Sequence, residues 1–363
     1  VVIDDSAIAP RTAPCPVIRL AEYEAREGLL RSAVHLYQMG NNRDHAGMLP
    51  VALRTPGVLV LHDTSLHSLF ASLPDTGRTP RLYEYILERE YGSAGRLLFD
   101  QRGSRGFTID THNTDAPLMR TLAERSRAIL VHSDYARSKV LAQAPDADVR
   151  IVRHHAKADA APLDRKAARA SLGIPEDRPL LVSPGFIGEA KQIGAVLRTL
   201  YRLRGRMPSL HYTLLGERTG GYDVDGEIAR LGLADRVTVT GYVAAADVVV
   251  NLRYPSNGET SGTMVRAMAA GACVVGVAHG PSDEYPDDVL VKVSRWPDFE
   301  SALERTLAKL LEDPAARRAH GLRARAHMRL AHGMSQSVEA YRSVIEAAAR
   351  PKNPMAATTV MTS

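Results

Sequence analysis

RYPSNGETSGTMVRAMAAG, residues 253–271, lies between two apolar, β-branched runs, Val248 to Arg253 and Cys273 to Val277. The runs read as strands and Thr263 to Ala270 as a helix stopped by Gly271, which puts the small polar stretch Thr260 to Thr263 at a helix N-terminus on the carboxyl side of a sheet. Such a terminus offers unpaired N–H groups and the positive end of the helix dipole, and together these bind a phosphate without a lysine. Gly262 has no Cβ and lets a ligand approach the backbone closely, while Glu259 offers a carboxylate to sugar hydroxyls. Taken alone the segment serves two readings, a phosphate-binding turn or a capped turn with a surface glutamate.

The same alternation extends upstream. Strands are expected at Leu180 to Pro184, His211 to Gly216 and Val237 to Gly241, with helices at Ile193 to Arg204 and Asp225 to Leu231, which makes a doubly wound α/β unit. Before it, Arg153 to Pro179 turns to Ala, Asp, Lys and Pro and is the best domain boundary. The first half repeats the pattern with apolar runs Val1 to Ile3, Val58 to His62 and Ile129 to Ser133, separated by helical segments such as Leu20 to Leu36 and Leu118 to Arg127. Polar residues close two of these runs, His62-Asp63 and His132-Ser133-Asp134, where such sheets meet ligands. Helices follow near Ser301 to Leu311, Ala315 to Leu330 and Ser335 to Ala349, then an aperiodic tail, 351–363, expected to be disordered.

Length agrees with two such domains: 363 residues at about 150 per domain. Facing each other across a cleft, they suit a ligand of two parts, a nucleotide and something else. Neither G-x-G-x-x-G nor G-x-x-x-x-G-K-[ST] occurs, which disfavours NAD, FAD and ATP hydrolysis. Cys15 and Cys273 make neither a disulfide framework nor a zinc site, so the cytoplasm is the expected compartment. Net charge is only +5 and aromatic residues only 5%, which argues against nucleic acid as a partner. Five arginines, 317, 318, 323, 325 and 329, gather between Ala315 and Gly333. A solvated helix face is the first reading of that cluster, and a peripheral contact with anionic lipid at the inner membrane face is the second.

The strand, Glu259, Gly262, the helix with Ala267-Met268-Ala269, Gly271 and Val274-Val275 resemble the donor-site signature of retaining, GT-B-fold glycosyltransferases of family 4. The likeness continues through Gly185 to Lys191 and the Val237 to Val243 strand and turn; His62-Asp63 and Ala128 to Ser133 resemble the family's first domain. It implies a GT-B architecture of two Rossmann-like domains: 1–155 on the acceptor side, 156–333 binding the nucleotide-sugar donor, and a helix at 334–350 crossing back. Lys191 takes the place of the lysine that meets the donor diphosphate, Glu259 that of the first acidic residue of E-x7-E, which holds the transferred sugar, and His62 that of a histidine facing the sugar. Donor binding is further expected of Gly185, Gly188, Gly216, Gly241, Tyr242, Thr260, Ser261, Gly262, Thr263, Met264 and Arg266.

Four departures accompany the likeness. Phe186 stands where an arginine often follows the strand glycine, Arg266 where the second carboxylate of E-x7-E would precede Ala-Met-Ala, the usual short helix after Val243 is absent, and an N-terminal strand and glycine-rich loop are expected ahead of Val1. Asp110, His112 and Asp115 resemble a metal cluster in composition only, and His154-His155 is assigned no chemistry. No metal or cofactor is expected, since helix N–H groups and cations hold the diphosphate. The implied reaction moves a sugar from a nucleotide-diphosphate donor to a hydroxyl of a glycan, lipid-linked or small-molecule acceptor, with retention. The alternatives are a GT-B sugar-nucleotide epimerase and a non-catalytic sugar-nucleotide-binding protein.

Overall fold

A computed structural model of the chain describes residues 1–3, 12, 14–26, 33–73, 81–101, 113–157, 164–218, 221–239 and 243–350. They divide into two compact units, one of Val1–His132, Ala136–Val152 and Val338–Ser363, the other of Ser133–Tyr135 and Arg153–Ser337. The tail at 351–363 lies outside the described residues.

In the first unit β1 (Val2–Ile3) and β2 (Ile18–Arg19) form a small parallel pair of their own, followed by α1 (Leu20–Arg26). Then come β3 (Leu36–Met39), α2 (Leu49–Arg54), β4 (Val58–Leu61), α3 (His67–Ala71), α4 (Leu82–Tyr91), α5 (Ser93–Asp100), α6 (Arg120–Arg125), β5 (Ala128–Val131), α7 (Asp134–Gln143) and β6 (Val149–Ile151). The four strands β3-β4-β5-β6 make one parallel sheet in that order. Parallel strands covered on both faces read as continuous apolar runs, and Val58–Leu61 and Ala128–Val131 are buried throughout.

Two expectations for this half change. The run at Val1 to Ile3 joins Ile18–Arg19 instead of the main sheet, whose edge is taken by Leu36–Met39. Leu36, expected to end a helix, opens that edge strand, because Tyr37 and Met39 alternate inward against exposed Leu36 and Gln38.

The second unit runs α8 (Arg165–Ser171), β7 (Leu180–Pro184), α9 (Ile193–Leu203), β8 (His211–Leu215), α10 (Val224–Arg230), β9 (Val237–Thr238), β10 (Val248–Asn251), α11 (Gly262–Ala269), β11 (Val274–Val277), β12 (Val291–Val293), α12 (Phe299–Glu312) and α13 (Pro314–Ala331). Six parallel strands lie in the order β12-β11-β10-β7-β8-β9. Ile193, Val196, Leu197, Leu200 and Leu203 give α9 one apolar face, buried with Leu303, Leu307, Leu310 and Leu311 of α12 on one side of the sheet. On the other side Met264, Val265 and Met268 of α11 pack with Val249, Val274, Ala324 and Met328. The helix pair comes close at Gly321, where a Cβ would stand 2.1 Å from the Gly271 carbonyl oxygen. The last helix, α14 (Met334–Ala349), buries Val344 against Val58, Val60, Ala128 and Leu130 of the first unit's sheet.

In the place of the short helix usual after Val243, Val243–Ala245 forms a single 3-10 turn that leads to β10. Among the described residues no helix is long and apolar enough to cross a membrane.

Candidate functional site

The order of the second sheet reverses between β7 and β10: β8 and β9 continue to one side of β7, and β11 and β12 to the other side of β10. In open parallel sheets the crevice outside the carboxyl ends at such a reversal is the place where ligands bind. Here those ends are Pro184-Gly185 after β7 and Asn251 to Arg253 after β10. Gly185 turns with φ +100°, and a Cβ there would stand 3.1 Å from Lys191 Nζ. A Cβ on Gly216 would stand 2.4 Å from the Gly185 carbonyl oxygen, which explains the glycine at the end of β8 as a close backbone approach. Gly188 is extended and precedes the single turn Glu189–Lys191.

Three charged side chains meet at this reversal. Arg253 Nη1 donates to Glu259 Oε1 at 2.7 Å, and Ser256 Oγ donates to the other carboxylate oxygen at 3.2 Å. Lys191 is 8% exposed and donates to the Pro184 carbonyl at 3.1 Å. Burial, then the nearby Arg253 guanidinium, push its pKa down to about 8, with the Glu259 carboxylate opposing. Polar atoms around them are buried with no hydrogen-bond partner: Arg253 Nε, Asn251 Oδ1 and Thr260 Oγ1. Buried polar groups in folded proteins are as a rule paired, and three of the unpaired side-chain atoms among the described residues gather at this one crevice, where a polar ligand could complete their bonding.

The helix behind them is capped from within. Ser261 Oγ accepts the Met264 N–H at 3.4 Å, and Asn251 Nδ2 donates to Ser261 Oγ at 2.8 Å and to Thr263 Oγ1 at 3.2 Å. The N–H groups of Gly262 and Thr263, in the first turn, have no intrahelical partner; the Met264 N–H is taken by the cap and its side chain lies in the core. Arg266 Nη1 reaches back to 3.4 Å from where a Gly262 Cβ would stand, and His154 Nε2 to 3.3 Å. A guanidinium at the positive end of a helix is unfavourably placed until an anion joins it. The sequence reading missed Arg253 as a partner of Glu259 and His154 as a neighbour of Gly262. Arg253 was findable, as a cation at a strand's carboxyl end; His154 had no local signal.

His62 belongs to the first unit. Its Nε2 lies 2.8 Å from Gln38 Oε1 and its Nδ1 3.2 Å from His132 Nε2, and His132 Nδ1 donates to the Val152 carbonyl, so polar side chains link the carboxyl ends of that sheet's strands. Asp63 accepts the Asn41 N–H at 2.9 Å. Asp115 is exposed, Asp110 and His112 lie outside the described residues, and among the described residues no three His, Cys, Asp or Glu side chains are grouped to hold a metal. Gly241 and Tyr242 also lie outside the described residues. At the opposite, amino end of the second sheet is a cavity of about 540 Å³ lined by residues including Arg165, Asp247, Cys273 and Arg317, with the Cys273 thiol pushed up to about 12 by burial.

The depressed Lys191 gives a pH dependence. A lysine with a lowered folded pKa is charged below about pH 8 and gives up its proton above it, so the positive charge offered to an anion fades there. A nucleoside diphosphate, fully ionised from pH 7.5 to 9.5, should bind with flat affinity below pH 8 and progressively weaker above it, by up to about ten-fold per pH unit. Calorimetry across that range checks the limb, and a flat profile through pH 9.5 would take Lys191 out of contact with the anion.

Residues 164–327, somewhat under half of the chain, match the family model described as Glycosyl transferases group 1. The 2-deoxystreptamine glucosyltransferase of Streptomyces kanamyceticus is 26% identical over 203 residues, 54% of this chain and 51% of that protein. The chain thus aligns with about half the length of this curated relative. Sucrose-phosphate synthase from Thermosynechococcus elongatus superposes with a TM-score of 0.66 at 17% identity, covering 95% of this chain and 87% of that one. HepE of Anabaena, solved in complex with UDP, superposes with a TM-score of 0.64 at 15% identity, covering 92% and 86%. The fold is that of the GT-B glycosyltransferases.

Proposed function

We propose that the chain is a retaining glycosyltransferase that moves a sugar from a nucleotide-diphosphate donor to a hydroxyl acceptor. The observation that carries this reading is the set of unpartnered buried polar atoms beside Lys191, Arg253 and Glu259 at the reversal of the second sheet. The diphosphate is read onto the N–H groups of Gly262 and Thr263 with Lys191 beside it, and the transferred sugar onto Glu259. The acceptor oxygen attacks the anomeric carbon, the bond from that carbon to the diphosphate oxygen breaks, and that oxygen takes the acceptor's proton. No side-chain base is required. The work falls to positioning and to cations that stabilise charge growing on the leaving group. Because the curated relative is a glucosyltransferase and HepE was also solved with UDP-glucose, UDP-glucose is the donor to try first.

Glu259 provides the test. In Glu259→Gln the charge is lost with size kept, weakening a charge-assisted hydrogen bond worth about 1.5–3 kcal/mol. Transfer from labelled donor should fall about ten-fold or more, while affinity for the free nucleoside diphosphate does not fall, since backbone N–H groups hold it. A collapse of nucleotide affinity would make Glu259 a residue of the nucleotide or of the fold; no change in either quantity would make it a surface carboxylate. Wild-type protein that interconverts donor epimers without an acceptor would be an epimerase, and one that binds donor without turnover a binding protein.

A further inference from the structure

We propose that Arg253 is a second anion-binding residue of this site, its guanidinium shared between the Glu259 carboxylate and a phosphate oxygen of the donor. The inference rests on the donor-site reading above and assigns a contact to a residue that the sequence left without a role.

The geometry begins with the strand. Leu252 is fully buried on one side of the chain leaving β10, which turns Arg253 toward the crevice with Glu259. One guanidinium nitrogen, Nη1, is committed to Glu259 at 2.7 Å. Nε is buried and has no partner, although a guanidinium's N–H groups form a rigid fork suited to two acceptors at once. A buried donor beside one already committed to a carboxylate can take a second oxygen acceptor. Its position relative to Lys191 is fixed by backbone: the Tyr254 N–H, next to Arg253, donates to the carbonyl of Ala190, next to Lys191, at 2.9 Å. Two cations are thereby held on adjoining segments at the ends of β7 and β10. Burial first, and the Arg253 guanidinium after it, drive Lys191 toward its neutral form, and an anion lying between the two cations opposes their repulsion. In the free protein the same arginine holds the Glu259 carboxylate in place at 2.7 Å, so one side chain couples the sugar contact to the diphosphate contact.

The rival account makes Arg253 only a prop for Glu259. Calorimetry with UDP separates the two, with GDP, ADP and dTDP run in parallel on wild-type protein. Arg253→Met should bind UDP about ten- to a hundred-fold more weakly, and Arg253→Lys, which restores the charge without the fork, should recover part of the loss. Melting without ligand reports whether each variant folds; should Arg253→Met fail, Arg253→Lys must still bind UDP at least about three-fold more weakly than wild type. Arg253→Met, or in its place Arg253→Lys, that binds UDP as wild type does while transfer falls would overturn the proposal and leave Arg253 as a prop. Wild-type protein that binds none of the four diphosphates would bring down the donor-site reading itself.

Discussion

Lys191→Met should lower transfer efficiency about ten- to a hundred-fold and at the same time raise the melting temperature of the free protein at pH 7. Both effects come from the same buried charge. In the transition state the ammonium meets charge growing on the leaving diphosphate, a charge-assisted contact worth about 1.5–3 kcal/mol. In the free protein that ammonium is poorly solvated, and a pKa lowered from 10.5 to about 8 places the cost on the order of 3 kcal/mol. The linkage has a definite sign. A lysine with a depressed folded pKa destabilises the fold fully below about pH 8, and the penalty lifts as pH rises from there toward 10.5, where the unfolded chain also loses the proton. Methionine keeps the length and apolar stem, loses the hydrogen bond to the Pro184 carbonyl, and leaves a net gain on the order of 1–2 kcal/mol at neutral pH. Above pH 10 the gain should vanish. Unchanged kinetics would remove Lys191 from the reaction, and a lower melting temperature at pH 7 would mean its charge is not under strain.

Asp247→Ala should be among the most destabilising substitutions in the second unit. Arg169 is fully buried, and its guanidinium donates to the carbonyls of Ala245, Pro175, Glu176 and Arg178 and to Asp247 Oδ2 at 2.7 Å. The same carboxylate accepts from Arg165 at 2.8 Å, from Arg317 at 3.1 Å and from the Leu180 N–H at 2.9 Å, which ties α8, α13, β7 and the start of β10 to one group. Burial already lowers the Arg169 pKa, with Asp247 opposing. Removing the carboxylate leaves that charge uncompensated, at a cost of about 3–5 kcal/mol, out of a total stability of about 5–15 kcal/mol. Urea denaturation followed by circular dichroism should show the midpoint of this unit's transition moving accordingly. A loss under about 1 kcal/mol would mean the neighbouring carbonyls alone hold Arg169. Asp247 lies at the amino ends of the strands, away from the crevice, so its effect should be on stability and not on donor affinity in protein that remains folded.

The second unit was legible because its strands are covered on both faces. Val248–Asn251 and Val274–Val277 are buried throughout, so they read as unbroken apolar runs, and the small residues between them could serve only as a turn and a helix start. Shorter or half-exposed strands gave no such signal. Leu36–Met39 carries two outward residues, and only its first residue, Leu36, falls in the expected helix Leu20 to Leu36, while Val149–Ile151 and Val291–Val293 are three residues each and fall below what periodicity resolves. At the site the sequence pointed to Glu259 and Gly262 by their places between strand and helix, and to Lys191 through the family resemblance. It could not pair Arg253 with Glu259, a choice of side-chain direction, nor bring His154 to Gly262, a contact across more than a hundred residues that only the folded unit creates.

The central claim is that the reversal between β7 and β10 holds a donor's diphosphate. Amide hydrogen exchange with and without saturating UDP tests it most directly, since an anion on the first N–H groups of α11 slows their exchange with solvent. Protection is predicted at Gly262 and Thr263 and along 185–191. Protection confined to the cavity around Asp247 and Cys273 at the opposite end of the sheet, with Gly262 and Thr263 exchanging as before, would contradict the account.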